Sequence, residues 1–273
     1  KHDHERFDAY LKSVSKGETK INSSVLFPYD LVEKYLGSYG YCNGMRAGDC
    51  WVAAEPNTVV EAQWKALPNY LTKPVNAVVM ADVSGSMSGR PMATSIGLAT
   101  YFAQHNTGWY RNQYMSFTNE PHFINIPEGA SLHECVKKVA SAGVGYGTNL
   151  EKAFNAILDT AIYHHVPASE MPKTLVVISD MEIDRYMRPG RHWDFLKVME
   201  AKFNAAGYKL PKIVMWNVNA RKDTVLSQSE DVIFISGQSA SSFKTLCQNL
   251  DGVTAYELML QVLNGAAYRE VRI

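Results

Sequence analysis

Three short segments carry side chains that could do chemistry together. The first is Asp82-Val83-Ser84-Gly85-Ser86, a carboxylate and two hydroxyls on one tight turn, where Gly85 lets the backbone fold around a small object. The second is the Gly-rich loop from Gly143 to Gly147, which presents the Thr148 hydroxyl just ahead of a helical pattern. The third is Ser179-Asp180, at the end of an apolar run. Asp82, Ser84, Ser86, Thr148 and Asp180 together offer hard oxygen donors, with no His or Cys among them. Mg2+ asks for that chemistry, because it takes oxygen ligands in octahedral geometry and retains several waters; Mn2+ and Ca2+ are admitted by the same donors, whereas zinc and copper are disfavoured. Two carboxylates among neutral hydroxyls leave an electron-poor position in the shell. An acidic side chain from a protein partner would complete it.

Enzymatic readings of the same residues are weaker. Asp82 resembles the nucleophile of an Mg2+-dependent phosphohydrolase, but the residue two positions on is Ser84 rather than a second carboxylate, and no base is well placed. A serine hydrolase would need a GxSxG elbow, which neither Ser84 nor Ser86 has. The Gly143–Gly147 loop lacks the GK[ST] of a phosphate-binding loop and follows a helix rather than a strand. A non-catalytic binding module is therefore expected.

The pattern D-x-S-G-S at Asp82 to Ser86, with Thr148 and Asp180 downstream, resembles the metal-ion-dependent adhesion site of von Willebrand factor A (vWA) domains. The resemblance spans residues 75 to 250. It implies that Ser84, Ser86 and Thr148 bind the cation directly, that Asp82 and Asp180 act mostly through water, and that a ligand's carboxylate takes the sixth position. Gly147, Glu182 and Asp184 would form the partner-binding rim. A finer resemblance lies in Ile178–Asp184, Met215–Arg221 and Lys16–Leu36, which look like an uncharacterised domain family of eukaryotic and viral proteins. The vWA half of that family is similar to the one in Ro (TROVE-module) ribonucleoproteins. This implies RNA-linked biology as a second function class, a ribonucleoprotein or viral assembly component in which the vWA domain is structural.

The elements that must position these residues follow from periodicity. Continuous apolar runs at Asn76–Ser84, Thr174–Asp180 and Lys212–Val218 have the length and composition of parallel strands buried on both faces. Shorter strands are expected at Gln113–Phe117, His122–Ile126 and Val232–Ser236. Helical spacing marks Met92–His105, Leu132–Ser141, Leu150–Tyr163, Trp193–Ala206, Ser242–Leu250 and Tyr256–Leu263. The alternation predicts an α/β fold with a doubly wound, mostly parallel, Rossmann-like sheet over residues 71–273. Ahead of it, helices at His4–Val14, Pro28–Leu36 and Pro56–Leu67 predict a helical lead-in over residues 1–70, with Gly37–Asp49 irregular.

Composition sets the outer limits. The chain has 273 residues, 46% of them hydrophobic, enough for a sizeable core. Lys plus Arg and Asp plus Glu number 27 each, so no global field draws the chain to nucleic acid or an anionic membrane. RNA is thus not indicated by charge, and recognition must be local. The basic stretch Arg185, Arg188 and Arg191 is interrupted by acids and reads as a charged loop. Four scattered cysteines do not make a disulfide framework, and Cys42 and Cys50 lack the partners of a zinc site. The pair His164-His165 reads as surface. No apolar run reaches the length of a membrane span and no signal peptide is apparent, so a cytoplasmic location is expected.

Overall fold

The computed structural model describes residues 3–16, 18–19, 21–23, 25–37, 44–47, 50–71, 73–141, 149–180, 192–220, 224–229, 232–250 and 255–264. The predicted strands become β4 (Ala77–Ala81), β5 (Gln113–Ser116), β6 (Phe123–Asn125), β7 (Thr174–Ser179), β8 (Lys212–Asn217) and β10 (Val232–Ser236). One more, β9 (Thr224–Ser229), was not anticipated. The sheet has seven strands in the order β6-β5-β4-β7-β8-β10-β9. The inner five are parallel to one another, while β6 and β9 run antiparallel at the two edges.

Residues on the central strands alternate between two apolar layers. Val79, Ala81, Val176, Ile178, Val214 and Trp216 face one layer, and Val78, Met80, Leu175, Val177, Ile213 and Met215 face the other. The first layer takes α4 (Arg90–His105), α5 (Leu132–Ala140) and α8 (Ala240–Gln248); the second takes α6 (Leu150–Tyr163) and α7 (His192–Ala205). A final helix, α9, spans Ala255–Leu263. This is the predicted doubly wound α/β architecture. Polar side chains start the helices where the spacing places them. Ser131 and Glu134 form a capping box on α5, and the Asn149 side chain accepts the Lys152 N–H at the start of α6.

The lead-in carries helices at α1 (His4–Ser15), α2 (Pro28–Val32) and α3 (Thr58–Lys65), together with a small antiparallel sheet. That sheet joins β1 (Leu36–Gly37), β3 (Cys50–Ala53) and β2 (Gly44–Ala47), in that order. Two expectations are corrected by it. The helix at Pro28 ends at Val32, so Leu36 opens a strand, and Gly44–Ala47 is paired rather than irregular. Cys50 opens β3.

Packing joins this segment to the sheet. Tyr29, Leu31, Val32, Tyr35, Val52, Val60 and Trp64 share one buried cluster with α4 and α5 residues. At its centre the Glu61 carboxylate accepts the Leu132 and His133 N–H groups at 2.8 and 2.9 Å and the Tyr35 hydroxyl at 2.6 Å. An acid from α3 thus satisfies donors that the first turn of α5 cannot pair internally, where the helix dipole also favours negative charge.

Candidate metal centre

The chain leaves β4 through α4 on one face of the sheet and leaves β7 toward α7 on the other. Connections that diverge from adjacent parallel strands open a crevice at their carboxyl edge, where ligands of α/β sheets bind. Asp82 and Asp180 are the residues immediately after β4 and β7, so strand pairing places them on either side of that crevice.

The two aspartates meet through Ser179, the last residue of β7. Ser179 is buried, and its hydroxyl donates to Asp82 Oδ2 at 2.9 Å while lying 3.5 Å from Asp180 Oδ1. Asp82 Oδ1 accepts the Ser84 N–H at 2.9 Å, and the Asp82 N–H donates to the Ile178 carbonyl at 3.0 Å. Asp82 is 2% exposed and held at both oxygens. Burial raises its pKa above the ordinary carboxylate range; the Ser84 and Ser179 hydrogen bonds oppose that shift, and the Asp180 carboxyl adds to it. A second carboxyl beside a buried one is an arrangement a cation would relieve.

Ser84 and Ser86 complete the described part of the turn. Gly85–Met87 is one turn of 3-10 helix anchored by buried Met87, and it brings Ser84 Oγ and Ser86 Oγ to 3.1 Å of each other. Adjacent corners of an octahedron with bonds of about 2.1 Å stand about 3.0 Å apart, so this pair fits an edge of an Mg2+ shell and is tight for the longer bonds of Ca2+. Asp82 thus touches Ser84 on its own turn and, through Ser179, neighbours Asp180 on the next strand, while Ser84 meets Ser86. Gly147, Thr148, Glu182 and Asp184 lie outside the described residues, as do Arg185, Arg188 and Arg191. Asn149 begins α6 directly after Thr148, and Lys152 in its first turn pairs with Glu120 in the turn after β5. That contact ties the start of α6 to the carboxyl edge of the sheet.

Other candidate chemistries find less support. Among the described residues no three His, Cys, Asp or Glu side chains come together. Cys135 and Cys247 are free thiols within the core, and burial pushes Cys135 up to about 12. Such thiols are inert as nucleophiles.

Residues 76–262 match the family described as a domain of unknown function, DUF7788. This chain belongs to the DUF7788 family. The segment ahead of the match, residues 1–74, matches a second family described as a domain of unknown function, DUF2828. An uncharacterized protein of Acanthamoeba polyphaga mimivirus is 30% identical to this DUF7788 chain over 266 residues, covering 95% of the chain and 43% of the viral protein. The crystal structure of the Ro (RSR) protein of Deinococcus radiodurans is similar with a TM-score of 0.51 at 15% identity, over 90% of this chain and 48% of that one. The DUF7788 chain thus spans less than half the length of either protein. The Ro likeness and the mostly parallel sheet flanked by helices fit the Rossmann-like vWA fold that the sequence predicted.

Proposed function

We propose that this chain is a non-catalytic, cation-dependent binding module. Mg2+ is held by Ser84, Ser86 and Thr148 directly and by Asp82 and Asp180 largely through water, and an acidic side chain of a protein partner completes its shell. The observation that supports this reading is the 3.1 Å separation of the two serine hydroxyls on the turn that follows Asp82, whose carboxylate shares Ser179 with Asp180. Asp82, with both oxygens engaged, is suited to orienting water rather than to attacking a substrate.

Calorimetric titration with MgCl2 tests it. The native chain should bind a single equivalent, and Ser84→Ala with Ser86→Ala should remove the heat. Ser179→Ala keeps every proposed direct ligand and should weaken binding about tenfold, as loss of an outer-shell partner does. Equal affinity in the native and doubly substituted chains would refute the metal reading.

A second reading makes the domain a structural part of a ribonucleoprotein or viral assembly. The longer mimivirus relative and the Ro-like fold favour it. Direct RNA binding would give a mobility shift that falls steeply with salt as phosphate contacts are screened. A chain with net charge +0 that gave no shift at low salt would have no such role.

A further inference from the structure

The cation turn lies between two fixed points, and only one of them is in the sheet. At its start, Asp82 is locked by Ser84 and Ser179. At its end stands Arg90, the first residue of α4, four positions beyond Ser86. Between them Val83 and Met87 are buried, while Gly85, Ser86, Ser88 and Gly89 are exposed and Gly89 has a φ of 88°. Buried Val83 and Met87, the Met87 N–H on the Ser84 carbonyl at 3.0 Å and the two ends of the segment fix where the serines stand.

Arg90 does not reach back to the metal residues; it reaches into the lead-in. Its Nη1 donates to Glu33 Oε1 and Oε2 at 3.0 and 2.9 Å, and its Nη2 donates to Asp30 Oδ1 at 3.1 Å. The guanidinium lies 4.6 Å from the centroid of the Tyr29 ring. The acceptors are themselves held, because Asp30 Oδ2 takes the Phe27 N–H at 2.8 Å and Glu33 caps α2. A planar fork bound on two carboxylates and stacked on a ring has one geometry, which an ammonium cannot reproduce.

We propose that Arg90 is a positioning residue for the cation turn, so that docking of α2 and binding of Mg2+ are coupled. This rests on the reading of Asp82, Ser84 and Ser86 as a cation site. The Arg90 side chain is 41% exposed, so the contact adds little to overall stability; its effect is geometric, through the first turn of α4. Coupling between sites is reciprocal, so the cation should in turn tighten α2 on α4.

Electrostatics alone predicts the opposite sign, which makes the test sharp. Arg90 is a positive charge near a cation site, and its neutralisation would by itself tighten Mg2+ binding. Positioning requires that Arg90→Gln weaken it, by about fivefold, and that Arg90→Lys do the same despite its retained charge. Calorimetry of the full chain with MgCl2 reads both variants, with melting curves to verify that each is folded. Hydrogen exchange supplies a second readout. Mg2+ should slow exchange over residues 28–37 in the native chain and leave it unchanged in Arg90→Gln. If native binds and the variants bind equally or more tightly, the coupling is overturned while the cation site stands. If native does not bind Mg2+, the cation reading and the coupling fall together.

Discussion

Asp82→Asn should abolish the response of this chain to Mg2+ and yet raise the melting temperature of the metal-free protein. Asp82 is buried, and burial lifts its pKa above the unfolded value. A carboxyl raised in the folded state favours folding while it is protonated, and that contribution is lost as pH climbs from the unfolded carboxylate pKa through the folded one. At neutral pH native Asp82 is therefore a cost, which an amide removes, its oxygen keeping the Ser84 N–H and its NH2 turning the Ser179 hydroxyl from donor to acceptor. The gain should shrink as pH falls into the acid range, where both proteins carry a neutral side chain. With Mg2+ present the order reverses. Native should climb in melting temperature by mass action, whereas Asp82→Asn stays flat, its affinity down about 100-fold or more. Scanning calorimetry at several pH values, with and without MgCl2, separates the two effects. A variant that loses stability without metal, or keeps its Mg2+ shift, contradicts this account.

Gly97→Leu should destabilise the chain by about 3 kcal/mol, although helix propensity alone favours it by roughly 1 kcal/mol. Gly97 lies mid-way along α4, where a Cβ would stand 3.0 Å from the Pro28 carbonyl carbon and from the Tyr29 nitrogen. The obstruction is backbone, so no rotamer change relieves it. Gly97→Ala meets the same contact with less bulk and should forfeit its expected gain. Urea unfolding reads both variants. Because α2 is the element displaced, Gly97→Leu should also loosen the carboxylates that hold Arg90. Unchanged stability in the leucine variant would mean that α2 does not seat on α4 as described.

Strands flanked on both sides were the easiest elements to read. Asn76–Ser84, Thr174–Asp180 and Lys212–Val218 are apolar on both faces because helices cover both, and they became β4, β7 and β8 with ends moved by a residue or a few. The unread strand, β9, is Thr-Val-Leu-Ser-Gln-Ser at an edge, where one side lacks a partner and polar residues are tolerated. The small sheet over Leu36–Ala53 escaped notice because its strands have two to four residues, too few for alternation to register. After Val32 the apolar spacing runs on through Tyr35 and Leu36, but the backbone turns toward β1, so periodicity overstated α2.

Of the site, the pieces were visible and the connections were not. Asp82, Ser84, Ser86 and Asp180 stand out as oxygen donors at strand ends. Ser179 reads as an ordinary strand terminus, and the available signal was a hydroxyl closing a run that is otherwise buried and apolar, beside a carboxylate. Arg90 could not be found at all, because its acceptors lie 57 and 60 positions away and no local spacing connects them.

The seam between the two matched families falls at residue 75, yet no seam of folding lies there. Val75 bridges to Asn106 and its carbonyl takes the Thr107 N–H at 2.8 Å, while Glu61 from one side finishes a helix on the other. Neither segment can be exchanged for an unrelated one without leaving unpaired amides and a bare apolar wall. The two stretches must therefore be inherited as a matched pair, and their substitutions should track one another across the family.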